Sequence, residues 1–355
     1  MELIFDGHND VLLRLLLQAE KGGDPIAEFA GGASHGHIDA PRASAGGLAG
    51  GLCAIFIRSP GEFPAWTISA EGHYSIPMTE PLERAPSLDT ALKMAAIAFQ
   101  LDRAGAWTLC RSTSEIRAAM AAGSFAAVLH LEGCEPIGTD LAALETFYAA
   151  GLRSLGPVWS RHNAFGHGVP FAFPLSPDTG PGLTEAGFEL VRACDRLGIM
   201  IDLSHITEQG FWDVARTSER PLVATHSNAH ALTPVARNLT DRQLDAIRER
   251  KGVAGLNYAT TMLRADGQEN ADTPISDMVR HIDYMVDRMG LECVAIGSDF
   301  DGAKIPGEIG DASGNQVLVA ALRSSGYDDA ALALICRENW LRVLGEAWHE
   351  TSGNV

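Results

Sequence analysis

Short apolar runs alternate with amphipathic helical patterns along most of this 355-residue chain. The runs have the length of strands and are bounded by turn-forming residues. They lie at residues 3–5, 52–57, 126–131, 152–158, 199–204, 222–225, 253–258 and 293–298. Helical patterns separate most of them, at residues 87–105, 140–151, 184–198, 241–252 and 275–290. Because helices between strands favour parallel pairing, eight such units predict an α/β fold, a (β/α)8 TIM-type barrel.

No linker-like stretch divides the sequence, so we expect residues 1–355 to form a single barrel domain. A long Pro-containing insertion at 59–82 follows the second predicted strand, and we expect it to form a lid or a subunit contact. The six cysteines are scattered without a C-x-x-C motif, which argues against a cysteine zinc site or a disulfide scaffold. Reduced thiols and the lack of a secretory signal pattern at the N-terminus predict a cytoplasmic protein.

The chain is strongly acidic, with 45 Asp and Glu against 27 Lys and Arg, and its net charge is −18 with neutral histidines. Such a surface repels phosphate backbones and anionic lipids, so nucleic acid and membrane surfaces are not expected partners. No apolar run approaches the ~20 residues of a membrane-spanning helix.

Titratable residues collect where the predicted strands end. In a (β/α)8 barrel the catalytic groups lie at the carboxyl ends of the strands, so these side chains are expected to converge on one mouth. Asp and His are unusual at the end of an apolar strand unless something pairs with them. The residues are His8, Asp10, Glu132, His205, His226, Asp299 and Asp301.

These residue types suit a metal centre. His8 and Asp10 are two apart and point the same way on an extended segment, although a hydrogen-bonded turn explains this pair alone equally well. His205, His226 and Glu132 extend the set to five ligands. Five ligands exceed one open tetrahedral zinc site but fit two metals that share a bridging carboxylate. The same ligands accept zinc, manganese or cobalt.

Six motifs in a fixed order resemble the membrane (renal-type) dipeptidase family, which are zinc peptidases with amidohydrolase-like barrels. The motifs span nearly the whole chain, and their combination is much more specific than any one of them. They are DGHND at 6–10, LEG at 131–133, IDLSH at 201–205, THSNAHALTPVARNLTD at 225–241, IGSDFDG at 296–302 and ENWLRVL at 338–344.

The resemblance implies two zinc ions, one bound by His8 and Asp10 and the other by His205 and His226. Glu132 bridges the two ions in this reading, and a metal-bridging hydroxide attacks the peptide carbonyl. Asp299 matches the aspartate that moves the proton to the leaving amine, with a structural or ligand-supporting role as the alternative. Arg237 matches the arginine that contacts the substrate, with a surface salt bridge as the alternative.

The sequence departs from the family at one position. Ser160 stands where the family usually has a histidine that binds the substrate carbonyl. Ser160 and the nearby His162 are therefore candidate substrate-binding residues, and Arg161 is a further candidate donor. Because stabilisation of this kind contributes roughly 3–4 kcal/mol in other enzymes, we expect the change to affect rate or substrate range.

The sequence therefore predicts a cytoplasmic zinc dipeptidase, a homodimer that cleaves small dipeptides, and the family resemblance implies L-Xaa-D-Xaa dipeptides as substrates. One alternative is another amidohydrolase reaction on the same metals, such as hydrolysis of an N-acyl amino acid or a lactam. The other alternative is a barrel that binds a peptide without cleaving it.

Overall fold

A computed structural model describes residues 1–33, 35–61 and 65–350. The strands are β1 (Ile4–Asn9), β2 (Leu48–Phe56), β3 (Tyr74–Ser75), β4 (Thr108–Leu109), β5 (Ala126–Glu132), β6 (Leu152–Gly156), β7 (Ala172–Phe173), β8 (Met200–Ile201), β9 (Val223–Ala224), β10 (Val253–Leu256) and β11 (Val294–Ile296).

Helices cover the outside of these strands. They are α1 (Val11–Glu20), α2 (Pro25–Gly31), α3 (Ala40–Gly46), α4 (Arg84–Arg103), α5 (Thr113–Ala121), α6 (Ala142–Ala150), α7 (Glu185–Leu197), α8 (Glu208–Thr217), α9 (Asp241–Glu249), α10 (Thr260–Leu263), α11 (Ile275–Met289), α12 (Asn315–Ser324), α13 (Asp329–Ala333) and α14 (Asn339–Ala347). Short 3-10 turns at Leu291–Cys293 and Ala312–Gly314, and a π turn at Leu334–Glu338, complete the set in the described ranges.

Two parallel sheets close into one barrel. The first has the path β1-β2-β5-β6-β8, and the second has the order β11-β10-β9. Two isolated parallel bridges join them, Asp202 with Val223 at one seam and Asn9 with Phe300 at the other. In the described part of the chain, this ring has eight parallel strands. The predicted (β/α)8 barrel is therefore confirmed.

Strand β5 shows how the pleat divides the core. Ala127, Leu129 and Leu131 face outward and pack beneath the helices in one apolar cluster. Ala126 and Val128 face inward and belong to a second cluster inside the barrel. The next two inward positions are His130 and Glu132, both buried. Because alternate residues of a strand share a face, the interior changes from apolar at the bottom to ionisable at the mouth.

All eight predicted strand regions contain a barrel strand, but the boundaries differ. Strand β1 continues through His8 to Asn9, because polar residues at the mouth keep the extended conformation. Short strands β3 and β7 were not predicted, and they pair with each other antiparallel. This pairing joins the described part of the 59–82 insertion to the loop after β6. Residues 62–64 of the insertion lie outside the described residues.

Candidate active site

A cavity of about 470 Å³ lies over the carboxyl ends of the barrel strands. Six of the residues that the sequence assigns to the mouth or the site line it, namely Asp10, Glu132, His205, Arg237, Asp299 and Asp301. Its upper walls are largely aromatic and come from strand ends and loops, including Phe56, Trp66, Tyr74, Trp159 and Phe171. Trp66 and Tyr74 belong to the predicted insertion, so that segment contributes a wall of the cavity.

Glu132 ends strand β5 and lies at the centre of the predicted ligands. Its Oε1 atom is 3.0 Å from Nε2 of His205, 3.5 Å from Nε2 of His226 and 3.6 Å from Nε2 of His8. Nε2 of His8 is also 3.5 Å from Oδ2 of Asp10. One carboxylate thus lies within 4 Å of three imidazoles, and the five predicted ligands form one cluster.

Hydroxyl groups behind the rings orient His226 and His205. The Thr225 hydroxyl donates to Oδ2 of Asp202 at 2.7 Å, so it accepts from Nδ1–H of His226, also at 2.7 Å. This arrangement leaves a lone pair on Nε2 of His226. The Ser160 hydroxyl is 2.8 Å from Nδ1 of His205, and the two Nε2 atoms of the rings are 3.1 Å apart. The two Nε2 atoms thus lie close together on the side of the rings that faces Glu132.

The electrostatics of the cluster fit a divalent cation. Burial lowers the pKa values of His205 and His226 well below their ordinary value, which keeps both rings neutral, the form that binds metal. Burial, together with the nearby carboxylates and against the opposing charge of His8, raises the pKa of Glu132 to about 8. Burial opposes the charge on His8, but Glu132 and Asp10 outweigh burial and raise its pKa to about 10. The raised pKa values show that the buried carboxylates favour a positive charge beside them, and a metal ion supplies such a charge.

Buried polar atoms without hydrogen-bond partners also indicate a cation site. Neither ring nitrogen of His8 has a hydrogen-bond partner, and neither does Oδ1 of Asp10, although all three atoms are buried. Among the described residues, the ligand atoms of His8, Glu132 and His226 lie within 4.8 Å of one another, as do those of His8, Asp10 and Asp299. This donor set of imidazoles and carboxylates suits a borderline divalent ion.

Asp299 lies three residues after the end of β11, beside the cluster. Its backbone has a positive φ of 59° and its N–H donates to the carbonyl of His8 at 3.0 Å. The amide of Asn257 donates to Oδ2 of Asp299 at 2.9 Å, which fixes the carboxylate at the cavity wall. Burial raises the pKa of Asp299. Asp301 also lines the cavity, but its carboxylate forms an ion pair with Arg14 at 3.1 Å.

Arg237 enters the cavity from the loop between β9 and α9. The guanidinium is buried and donates to the carbonyls of Ser204 and His226 and to the hydroxyl of Ser227. Its Nε–H has no partner, and burial lowers its pKa to about 10. The side chain is thus fixed by the protein, and one N–H remains free for a ligand.

Ser160 and His162, the two candidate substrate-binding residues, do not line this cavity as it is described. Ser160 lies behind His205, where its hydroxyl contacts the ring nitrogen. His162 packs edge-to-face on His167, with ring centroids 4.6 Å apart. Arg161 is fully buried and forms an ion pair with Glu135 at 2.9 Å. Trp159 supplies the wall of the cavity in this segment.

Sequence reasoning missed the residues that support the ligands. Asp202 accepts hydrogen bonds from the backbone N–H and hydroxyl of Thr225 and from the hydroxyl of Ser204. Its position in IDLSH, at the end of an apolar run, was the available signal. Asn257, which holds Asp299, follows a strand as an uncharged residue and gave no such signal. His130 lies one inward position below Glu132, with Nδ1 2.8 Å from the hydroxyl of Ser154.

Comparison with known proteins places this site in a family. The sequence profile of the membrane dipeptidases, peptidase family M19, matches residues 2–353. The chain belongs to the membrane dipeptidase family. The resemblance predicted from its six motifs is therefore confirmed.

Solved structures of this family superpose closely on the chain. A metallopeptidase from Rhodobacter sphaeroides, crystallised with a phosphinate mimic of the dipeptide L-Ala-D-Ala, is 48% identical with a TM-score of 0.93, over 98% of this chain and 99% of that chain. An M19 metallopeptidase described as dipeptidase AC is 49% identical with the same TM-score and coverage. Dipeptidase tcpJ of Claviceps purpurea is 24% identical over 347 residues, which are 96% of this chain and 76% of that protein.

Membership of the dipeptidase family establishes the class of chemistry. The protein is a metallodipeptidase, a hydrolase that acts on peptide bonds. The family and the buried ligand cluster together support a divalent metal cofactor. Within the described residues, no helix combines the length and the apolar character needed to cross a membrane.

Proposed function

We propose that this dipeptidase hydrolyses small dipeptides of the L-Xaa-D-Xaa type at a centre of two zinc ions. In this proposal His8 and Asp10 would hold one ion, His205 and His226 would hold the other, and Glu132 would be the ligand that they share. The observation that carries the proposal is the position of Glu132, whose Oε1 lies 3.0–3.6 Å from the Nε2 atoms of three histidines. A single metal needs fewer protein ligands if it is to keep an open position for substrate.

The residues around the ligands have distinct roles in this proposal. When bound, the zinc ions polarise the substrate carbonyl and lower the pKa of a water molecule. Asp299 accepts the proton from the attacking water and delivers it to the leaving amine, held in place by Asn257. Arg237 binds the terminal carboxylate of the dipeptide through its free Nε–H. The aromatic walls exclude bulk water from the reacting bond.

The ligand of the Rhodobacter relative supports the stereochemistry. That protein was crystallised with a mimic of L-Ala-D-Ala, and it is 48% identical to this chain over nearly its full length. A cavity of about 470 Å³ falls within the range that accommodates a small ligand. We therefore expect a D-residue on the carboxyl side of the cleaved bond.

A stereochemically complete dipeptide panel tests this function. Release of free amino acids is measured for all four stereoisomers of Ala-Ala, with protein of known zinc content. We expect the L,D isomer to be cleaved fastest, chelation to abolish release, and zinc to restore it. Tripeptides and N-acyl amino acids serve as comparison substrates.

The panel also separates the proposal from its alternatives. Cleavage of N-acyl amino acids or lactams, with no cleavage of dipeptides, would favour the other amidohydrolase reaction. The first explanation would then be that Ser160 stands in place of the family's histidine. Binding of dipeptides without release at full zinc content would favour the peptide-binding barrel. About one zinc per chain in the active protein would contradict the two-ion centre.

The cytoplasmic location and the homodimer stay predictions within this proposal. All six cysteines lie in the described residues, where they are buried and free of disulfides. Reduced thiols support a reducing compartment. Fractionation of the native cell tests the location, and light scattering of the purified protein tests the dimer.

A further inference from the structure

We propose that Arg58 binds a side-chain carboxylate of the substrate, so that the enzyme prefers dipeptides containing an acidic residue. This inference rests on the proposed dipeptidase function. It concerns a residue to which neither the motifs nor the predicted ligand set assigns a role.

Arg58 lies at the rim of the cavity, above the ligand cluster. Phe56, the last residue of β2, pairs in register with Glu132 across the parallel sheet, so it marks the level of the cluster. Arg58 follows two residues later, and both side chains line the cavity. Two residues of chain span at most about 7 Å, which is the scale of one amino-acid residue of a bound dipeptide. Arg58 is thus within the length of a small peptide from the reacting centre.

The other basic side chains of the cavity are held by the protein itself. Nζ of Lys304 forms an ion pair with Glu269 at 3.2 Å. Arg237 donates to two backbone carbonyls and a serine hydroxyl. Arg58, by contrast, is exposed and has neither an ion pair nor a hydrogen bond in the structure as described. Although the chain has 45 acidic residues against 27 basic ones, none of the described carboxylates pairs with this guanidinium.

Each acidic residue that lines the cavity, among those the structure describes, has a partner or role other than Arg58. Asp10, Glu132 and Asp299 belong to the ligand cluster. Asp301 pairs with Arg14, and Glu269 pairs with Lys304. A carboxylate from outside the protein is therefore the natural partner for Arg58.

A guanidinium and a carboxylate form two parallel charge-assisted hydrogen bonds, which give both affinity and orientation. In the proposed function the terminal carboxylate of the dipeptide is bound by Arg237. The carboxylate left for Arg58 is therefore that of an Asp or Glu side chain.

Paired substrates that differ only in charge test this inference. The value of kcat/KM is measured for L-Ala-D-Glu against L-Ala-D-Gln, and for L-Glu-D-Ala against L-Gln-D-Ala. The proteins are the unchanged enzyme, Arg58→Gln, Arg58→Lys and Arg103→Gln. Arg103, at the end of α4, is also exposed and unpaired in the described structure, so its replacement makes the same change of net charge away from the cavity.

In one of the two substrate pairs, we expect kcat/KM of the unchanged enzyme to be about tenfold or more higher for the Glu substrate than for the Gln substrate. Arg58→Gln should bring that ratio close to one, mainly through KM, and Arg58→Lys should keep part of it. Arg103→Gln should leave the ratio as in the unchanged enzyme.

Three results would overturn the inference. They are a ratio near one in the unchanged enzyme, an equal loss on Glu and Gln substrates in Arg58→Gln, and a similar loss of the ratio in Arg103→Gln. An equal loss would mean that Arg58 contacts the common peptide frame. Failure of the zinc-loaded unchanged enzyme to cleave any dipeptide is a separate result, and it overturns the proposed function as well.

Discussion

Hydroxyl groups outside the ligand set contact the rings of His226 and His205. The Thr225 hydroxyl lies between Asp202 and Nδ1 of His226, with 2.7 Å to each. Because the Asp202 carboxylate can only accept, the Thr225 hydroxyl donates to it and accepts from Nδ1–H of His226. Nε2 of His226 therefore keeps its lone pair. The Ser160 hydroxyl contacts Nδ1 of His205 at 2.8 Å, where either group can be the donor. Residues outside the ligand set thus determine whether the ligands are ready to bind.

Replacement of these hydroxyls should weaken metal binding. Thr225→Val keeps the side-chain shape but removes the acceptor for Nδ1–H, and Ser160→Ala removes the contact with His205. We expect a loss of about 10- to 100-fold in zinc affinity for Thr225→Val, measured by competition with a chelating indicator. Thr225→Ser keeps the hydroxyl and is the matched control. Unchanged affinity in Thr225→Val would show that the ring does not depend on this contact.

Asp299→Asn should separate turnover from metal binding. The amide keeps the size of the carboxylate but cannot accept and pass on a proton. We expect kcat on L-Ala-D-Ala to fall by about 100-fold or more, whereas the zinc content of the purified protein stays unchanged. Zinc content and kcat are measured on the same preparation. A parallel loss of zinc would instead assign Asp299 to the metal ligands.

At the scale of elements, helix α11 fixes two loops at the mouth of the barrel, one of which carries His226. His281 on α11 accepts from the backbone N–H of Ala229 at Nδ1, at 3.2 Å, and Nε2 donates to the carbonyl of Leu263 at 3.0 Å. Ala229 lies three residues after His226, and Leu263 ends α10. One neutral imidazole therefore ties two mouth loops to the outer helix layer.

This contact should make stability depend on pH. Burial lowers the pKa of His281 from 6.5 to about 4. The unfolded chain therefore binds a proton between about pH 6.5 and pH 4 that the folded protein does not bind, so stability falls as pH falls through this window. The full effect is up to about 3 kcal/mol.

The variant His281→Gln tests that pH dependence. We expect it to be less stable at pH 8 in urea unfolding, since one of the two hydrogen bonds is lost. We also expect a smaller loss of stability between pH 7 and pH 5 than in the unchanged protein. Equal pH dependence in both proteins would mean that other groups are responsible.

At the scale of the whole molecule, the barrel is filled from below by α14. Trp340 is fully buried in the inner apolar cluster with Phe5, Val223 and Val253, and its Nε1–H donates to the carbonyl of Ile296 at 2.8 Å. A Cβ on Gly7 would lie 2.3 Å from the Trp340 ring, so the strand needs glycine there. The C-terminal helix thus closes the bottom of a barrel whose mouth carries the chemistry.

Truncation of this plug should destabilise the whole fold. We expect Trp340→Ala to lower the free energy of unfolding by about 3–5 kcal/mol, because it leaves a cavity between the strands. Trp340→Phe keeps much of the volume and should cost less, about 1–3 kcal/mol for the carbonyl of Ile296 left without its donor. Urea unfolding monitored by circular dichroism measures both. A loss below 1 kcal/mol in Trp340→Ala would show that the inner cluster does not support the barrel.

The sequence by itself determined the order of the barrel strands and the residues at their ends. Apolar runs and helical periodicity are local properties, so strands such as β5 and helices such as α11 are visible along the chain. Parallel strands of a barrel end at one mouth, and for that reason His8, Glu132 and His226 were expected together. The short pair β3 and β7 was missed, because two-residue strands have no periodicity to detect.

Only the tertiary structure decided how side chains from distant segments meet. It closed the barrel through Asp202–Val223 and Asn9–Phe300, and it brought Thr225 between Asp202 and His226. It also placed Ser160 behind His205 and left Arg58 unpaired at the rim of the cavity, within the described residues. These contacts depend on loop paths and on packing between elements far apart in the chain, and no local pattern of residues encodes that geometry.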